Sequence, residues 1–178
     1  GWRMFENRKI AVLGAGKLGE ALITGMIEAG IVSKKQFIAT AAHKERIDQI
    51  RSKLGVQTTL SNGDAVRKSQ LILLCVKPQT VEEVIRQIAD DLTPSHLIIS
   101  VAASVTTRFI ENLLDKPVPV IRTMPNTPCL IKQGMTAITP GKHAKAEHMA
   151  QARKNFDAIG RHVILDEKHM DAVTGLRA

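Results

Sequence analysis

Tyrosine is absent from the 178 residues, and one Trp and four Phe are the only other aromatic side chains of that class. Proteins that hold single-stranded nucleic acid stack bases on such rings, so that platform is scarce here. The net charge of +8 comes from 25 Lys and Arg dispersed among 17 acids, with no dense basic run. A dispersed positive balance attracts a small, multiply charged anion as well as it attracts a polymer, and no nucleic-acid partner is expected. Only two cysteines occur, Cys75 and Cys129, outside any CxxC spacing. Reduced thiols in a cytoplasmic setting are therefore expected rather than a disulfide framework. No apolar run approaches the roughly 20 residues of a membrane span, and Gly1-Trp2-Arg3-Met4-Phe5-Glu6 lacks the apolar centre of an export signal. The six histidines, at 43, 96, 143, 148, 162 and 169, show no metal-ligand spacing, so no metal and no membrane partner is expected.

What the chain does have is alternation. Short apolar runs such as Ile10-Ala11-Val12-Leu13, Phe37-Ile38-Ala39-Thr40, Leu71-Ile72-Leu73-Leu74-Cys75 and Leu97-Ile98-Ile99-Ser100 read as strands, the first suited to burial on both faces and the last also buried. Val56 to Thr59 and Val118 to Arg122 read as further strands, as do Met135 to Thr139 and His162 to Leu165. Helical spacing lies between them, over Lys17 to Ala29, Lys44 to Leu54, Gly63 to Lys68, a stretch through Ile88, one through Leu114, and Ala144 to Ile159. Thr80 followed by Glu83 reads as a capping box for the fourth of these helices, and Asn62 as the cap of the third. The fold class expected is α/β, a Rossmann-type, mostly parallel sheet flanked by helices.

Gly14-Ala15-Gly16-Lys17-Leu18-Gly19 follows the first strand and opens the first helix, the context that a dinucleotide fingerprint needs. Gly14 allows a tight turn, Gly16 lets backbone meet a pyrophosphate, and Gly19 lets helix and strand pack closely. Leu13, Ala15, Lys17 and Leu18 complete the loop, whose helix N-terminus favours an anion. About 20 residues on, an acid would bind the ribose diol and repel a 2′-phosphate. Thr40 stands there instead, followed by Ala41-Ala42-His43-Lys44. The Thr40 hydroxyl and the charge of His43 or Lys44 favour NADP(H), with NAD(H) possible; the alternative is that His43 and Lys44 form only a solvated first turn. Cys75, Val76, Lys77 and Pro78 end the strongest strand run, where ligands collect in open α/β sheets, and read as a cofactor wall.

Beyond these lie Ser100-Val101-Ala102-Ala103, then Met124-Pro125-Asn126-Thr127-Pro128, in which two prolines stiffen a polar pair, and Met170-Asp171-Ala172-Val173-Thr174-Gly175-Leu176. In this order and spacing, from about Lys9 to Leu176, the chain resembles the pyrroline-5-carboxylate reductase family. The resemblance implies hydride transfer from NADPH to the C=N carbon of 1-pyrroline-5-carboxylate, giving L-proline, a step of amino-acid biosynthesis. It implies cofactor contacts at Asn62 and at the small residues Val101, Ala102 and Ala103, and substrate contacts at Asn126 and Glu167. The bland role for Glu167 is a helix N-terminal acid.

Two departures stand out. Ser104 occupies a position where the family usually has Gly, and Arg177-Ala178 stands where the family continues into a Ser-Gly-Ser-Gly loop. The expected division is a cofactor domain over residues 8–165 and the start of an all-helical dimerisation domain, cut short, over 166–178. A full-length version is expected to be a homo-oligomer, and this chain alone a monomer that turns over substrate poorly. No catalytic acid is assignable. The rival expectations are a non-catalytic dinucleotide-binding module and another NADP-linked two-domain reductase, for example one acting on a hydroxyacid.

Overall fold

Each four-residue apolar run becomes a strand with no solvent on either face: β1 (Ile10–Leu13), β2 (Phe37–Thr40), β4 (Leu71–Leu74) and β5 (Leu97–Ser100) are buried throughout. The computed structural model describes residues 5–102, 104–124 and 137–157. Within them β3 (Gln57–Thr59), β6 (Val120–Met124) and β7 (Ala137–Pro140) complete one sheet in the order β3-β2-β1-β4-β5-β6-β7. All pairings are parallel except β6 with β7.

Parallel neighbours need a crossover, and helices supply it. The helices are α1 (Lys17–Glu28), α2 (Lys44–Leu54), α3 (Asn62–Arg67), α4 (Val81–Ile88), α5 (Thr107–Asn112) and α6 over residues 146–157. Strand side chains alternate between the faces, and the core divides accordingly. Ile10 and Val12 of β1 join Leu22, Ile23 and Met26 of α1, Ile50 of α2 and Phe156 of α6. Ala11 and Leu13 join Val66 of α3, Val84, Ile85 and Ile88 of α4, and Ile110 of α5. Burial of each large aliphatic side chain contributes about 1.5–3 kcal/mol. The sheet is thus sandwiched between two helical layers, as the α/β reading expects.

Three local expectations are corrected. Thr80 forms no side-chain cap: its backbone is already helical, and its hydroxyl donates to the Lys77 carbonyl at 2.9 Å. The cause is the 3-10 turn Pro78–Thr80, which runs straight into α4. The cap of α3 is Ser61, whose Oγ accepts from the Asp64 N–H at 3.1 Å, leaving the Asn62 side chain for other partners. The sixth strand starts at Val120 rather than Val118, because Pro119 has no N–H for the ladder and Val118 donates instead to Lys116. The strand expected over His162 to Leu165 and the segment 166–178 lie outside the described residues.

Candidate functional site

The sheet's order reverses between β1 and β4, which pair with Leu13 opposite Leu74. Above the carboxyl ends of these two strands the connections diverge to opposite faces, leaving a crevice where α/β sheets take ligands. The glycine loop runs out of β1 into this crevice, and Cys75, Val76, Lys77 and Pro78 run out of β4. The two segments are tied together, since the Cys75 N–H donates to the Leu13 carbonyl at 2.9 Å.

Gly14 sits at φ 77°, a conformation that side chains disfavour, and a Cβ built on it would lie 2.3 Å from Val76 Cγ1. Turn geometry and close approach therefore both require glycine. Gly16 differs: it is exposed, and a Cβ there would meet no protein atom within 4 Å. At Gly19 the nearest atoms would be 3.4–3.6 Å away, ordinary contact, so the close packing expected there is real but not severe. Gly16 is also the N-cap of α1, and no side chain caps that helix. The first N–H groups of a helix lack internal partners and carry its positive dipole end. At α1 they are left to an anion.

Thr40 ends β2 beneath this loop and is 1% exposed. Its carbonyl accepts from the Ala15 N–H at 2.7 Å, and its Oγ1 accepts from the Gly14 N–H at 3.1 Å. The same hydroxyl donates to Asn62 Oδ1 at 2.6 Å, and Asn62 Nδ2 donates to Gln87 Oε1 at 2.9 Å. The hydroxyl assigned from sequence to the cofactor ribose is therefore engaged inside the protein. Its role here is to hold the glycine loop. The first partly exposed position past β2 is Ala41, followed by the exposed Ala42, His43 and Lys44.

Among the other residues singled out, Leu13 and Ala15 are buried, Leu18 is half-buried, and Lys17 is exposed at the start of α1. Lys77 and Pro78 are exposed, Val76 is half-buried against Gly14, and Val101 and Ala102 are buried past the end of β5. Burial pushes the Cys75 thiol up to about 12, although the residue keeps some surface. Ser104 lies at φ 66°, the left-handed region in which a glycine is at ease. Ala103, Asn126 and Glu167 lie outside the described residues, as does the rest of the Pro-stiffened hook past Met124. Among the described residues no three metal-ligating side chains converge, and no helix is long and apolar enough to cross a membrane.

One residue of this neighbourhood was not foreseen. Arg46, in the first turn of α2, donates from Nε to the Ala15 carbonyl at 2.9 Å. A cation in a first turn runs against the helix dipole, and that mismatch is the signal the sequence offered.

A family profile described as "NADP oxidoreductase coenzyme F420-dependent" matches residues 9–104. The pyrroline-5-carboxylate reductase of Methanosarcina acetivorans is 38% identical over 171 residues, covering 96% of this chain and 63% of that protein. Pyrroline-5-carboxylate reductase 3 of Rattus norvegicus is 35% identical over 173 residues, covering 97% of this chain and 63% of that protein. Among solved structures, a pyrroline-5-carboxylate reductase from Coxiella burnetii superposes with a TM-score of 0.77 at 28% identity, over 86% of this chain and 57% of that one. The chain spans 63% of the length of these two curated relatives.

Proposed function

The chain belongs to the pyrroline-5-carboxylate reductase family, and on that premise we propose that it carries the NADP(H)-binding half of an enzyme reducing 1-pyrroline-5-carboxylate to L-proline. The observation that carries the reading is the uncapped N-terminus of α1, opening at the switch point behind a glycine loop that Thr40 already holds in place. The bare Cα of Gly16 and the free N–H groups of Lys17 and Leu18 suit a pyrophosphate.

In this reading Leu13, Gly14, Ala15, Gly16, Lys17, Leu18 and Gly19 form the pyrophosphate cradle. Thr40 and Asn62 support the adenosine end from below, and Ala41 to Lys44 face its ribose. With no acid at the end of β2, a 2′-phosphate meets no repulsion, so NADPH is preferred and NADH is accepted more weakly. Cys75, Val76, Lys77 and Pro78 wall the crevice. Val101, Ala102 and Ala103 supply a floor of small side chains for the nicotinamide, with Asn126 and Glu167 reserved for the substrate.

NADPH held by these residues would supply the hydride for the C=N carbon. The chain's own contribution is to fix the donor against the acceptor and to keep water from the face between them. A helical second domain, starting near residue 166, would complete the substrate cradle and carry the contacts of a homo-oligomer. The setting proposed is the cytoplasm.

Fluorescence titration of the 178-residue chain with NADPH tests the binding claim, and NADPH oxidation with pyrroline-5-carboxylate tests the reaction. A saturable change in the nicotinamide's own fluorescence is expected, at lower concentration for NADPH than for NADH. A chain that binds neither nucleotide would overturn the reading.

A further inference from the structure

Arg46 connects three elements around the glycine loop. Its Nε donates to the Ala15 carbonyl at 2.9 Å, its Nη1 to Gln49 Oε1 at 3.3 Å, and its Nη2 lies 3.9 Å from Glu20 Oε2 on α1. Glu20 is held in turn by Lys53 at 3.2 Å. We propose that Arg46 is a positioning residue for the cofactor site, fixing the Ala15 carbonyl and thereby the loop that cradles the pyrophosphate; this rests on the cofactor reading above.

The geometry of the loop gives the reason. Ala15 is held at both polar ends, its N–H by the Thr40 carbonyl and its own carbonyl by Arg46. The Gly16 N–H, in the same peptide as the Ala15 carbonyl, turns back to the Gly14 carbonyl at 2.7 Å. With that peptide fixed, the next N–H groups, at the start of α1, have one direction to face. A charge-assisted bond to a carbonyl is stronger than a neutral one, and a loop ordered before binding need not be ordered by the ligand.

Arg46 is not placed as a ligand of the phosphate itself. Nη2 is buried and has no hydrogen-bond partner, and only 28% of the side chain is exposed. The guanidinium faces protein, between the loop and the Glu20 carboxylate. That carboxylate, 18% exposed in the first turn of α1, would otherwise oppose an anion at the same helix end. Arg46 and Lys53 offset it.

The role predicts a loss common to every ligand with a pyrophosphate. Wild type, Arg46→Met and Arg46→Lys are titrated with NADPH and with NADH, and each is melted without ligand. Arg46→Met is expected to weaken both nucleotides roughly tenfold, with their ratio unchanged within about twofold, as the loss of one charge-assisted hydrogen bond implies. Arg46→Lys, which keeps the charge, is expected to recover part of that loss for both. A loss confined to NADPH would mean direct contact with the 2′-phosphate and would overturn the proposal. So would unchanged affinities beside a lowered melting temperature, the mark of a merely structural residue. If Arg46→Met does not fold, the same two-nucleotide comparison on Arg46→Gln decides. Wild type binding neither nucleotide would overturn the cofactor reading itself, and this one with it, before any variant is compared.

Discussion

A Cβ on Gly14 would lie 2.3 Å from Cγ1 of Val76 and 3.0 Å from its Cα. The first neighbour is a side chain that can rotate, but the second is backbone of the adjoining strand end. Added to this is φ 77°, which costs a side chain about 1–2 kcal/mol. Gly14→Ala is therefore expected to destabilise the fold by about 2–4 kcal/mol in urea unfolding, strain and overpacking together. Stability within error of wild type would show that the loop relaxes freely.

Gly16 poses the opposite case. A Cβ there would meet nothing within 4 Å beyond its chain neighbours, so Gly16→Val should melt within a few degrees of wild type, as surface substitutions usually do. It should nonetheless lose NADPH binding by roughly a hundredfold or more, since the valine methyls stand where backbone N–H groups must meet the pyrophosphate. Calorimetry showing normal binding would remove the loop from the site.

The layer order and nearly every strand were legible because buried parallel strands are written as continuous apolar runs, Leu71-Ile72-Leu73-Leu74 most plainly. Hydrogen bonds across long separations were not. Thr40 reads as a cofactor hydroxyl and Asn62 as a cap and, by resemblance, a cofactor contact, but their bond to each other spans 22 residues and has no local signature. The Thr80 capping box failed for a local reason, because Pro78 started a 3-10 turn that put Thr80 inside the helical run. Arg46 shows in the sequence only as a cation at the wrong end of a helix dipole, because its partner is a backbone carbonyl, which no side-chain pattern reveals. The motif already gives Gly14 to the turn and Gly16 to the ligand, and what it hides is the second constraint on Gly14, the 2.3 Å approach of Val76.

Ser104 is a departure that the sequence did show, and the structure gives it a physical meaning. At φ 66° a serine carries left-handed strain that glycine escapes. Ser104→Gly should raise stability by about 0.5–1 kcal/mol, the relief of strain outweighing the extra freedom glycine brings to the unfolded chain. An unchanged or lower denaturation midpoint would show that the serine is not strained.

Cofactor preference is best tested one residue past the position the sequence pointed to. Thr40 is buried with its hydroxyl engaged, so an acid there would disturb the loop for either nucleotide. Ala41 is partly exposed and immediately follows β2. Ala41→Asp sets a carboxylate where the 2′-phosphate is proposed to lie, and like charges in a partly screened site repel by about 1–4 kcal/mol. The NADPH-to-NADH affinity ratio should fall by roughly tenfold or more with melting unchanged. A ratio that does not move would place the 2′-phosphate elsewhere.

Cys75 supplies the pH dependence, and the missing tyrosines make it readable. Burial disfavours the thiolate and raises this group from 9.0 to about 12. Below pH 9 the thiol is protonated whether the chain is folded or not, and it does not affect the balance. Between pH 9 and 12 the unfolded chain loses this proton while the folded chain keeps it, so stability falls as pH rises through that window, by at most about 1.4 kcal/mol per unit. Cys75 keeps some solvent contact, which closes the window from its upper end and leaves the slope within it unchanged. Urea unfolding at the bottom and middle of the window should show the decline in wild type and a shallower one in Cys75→Ala, with Cys129 present in both. No tyrosine is present to titrate alongside, so thiolate absorbance in the ultraviolet should appear on unfolding in wild type and drop by the Cys75 share in the variant. Equal slopes for the two proteins would mean that the Cys75 sulfur ionises as freely in the folded crevice as in the open chain.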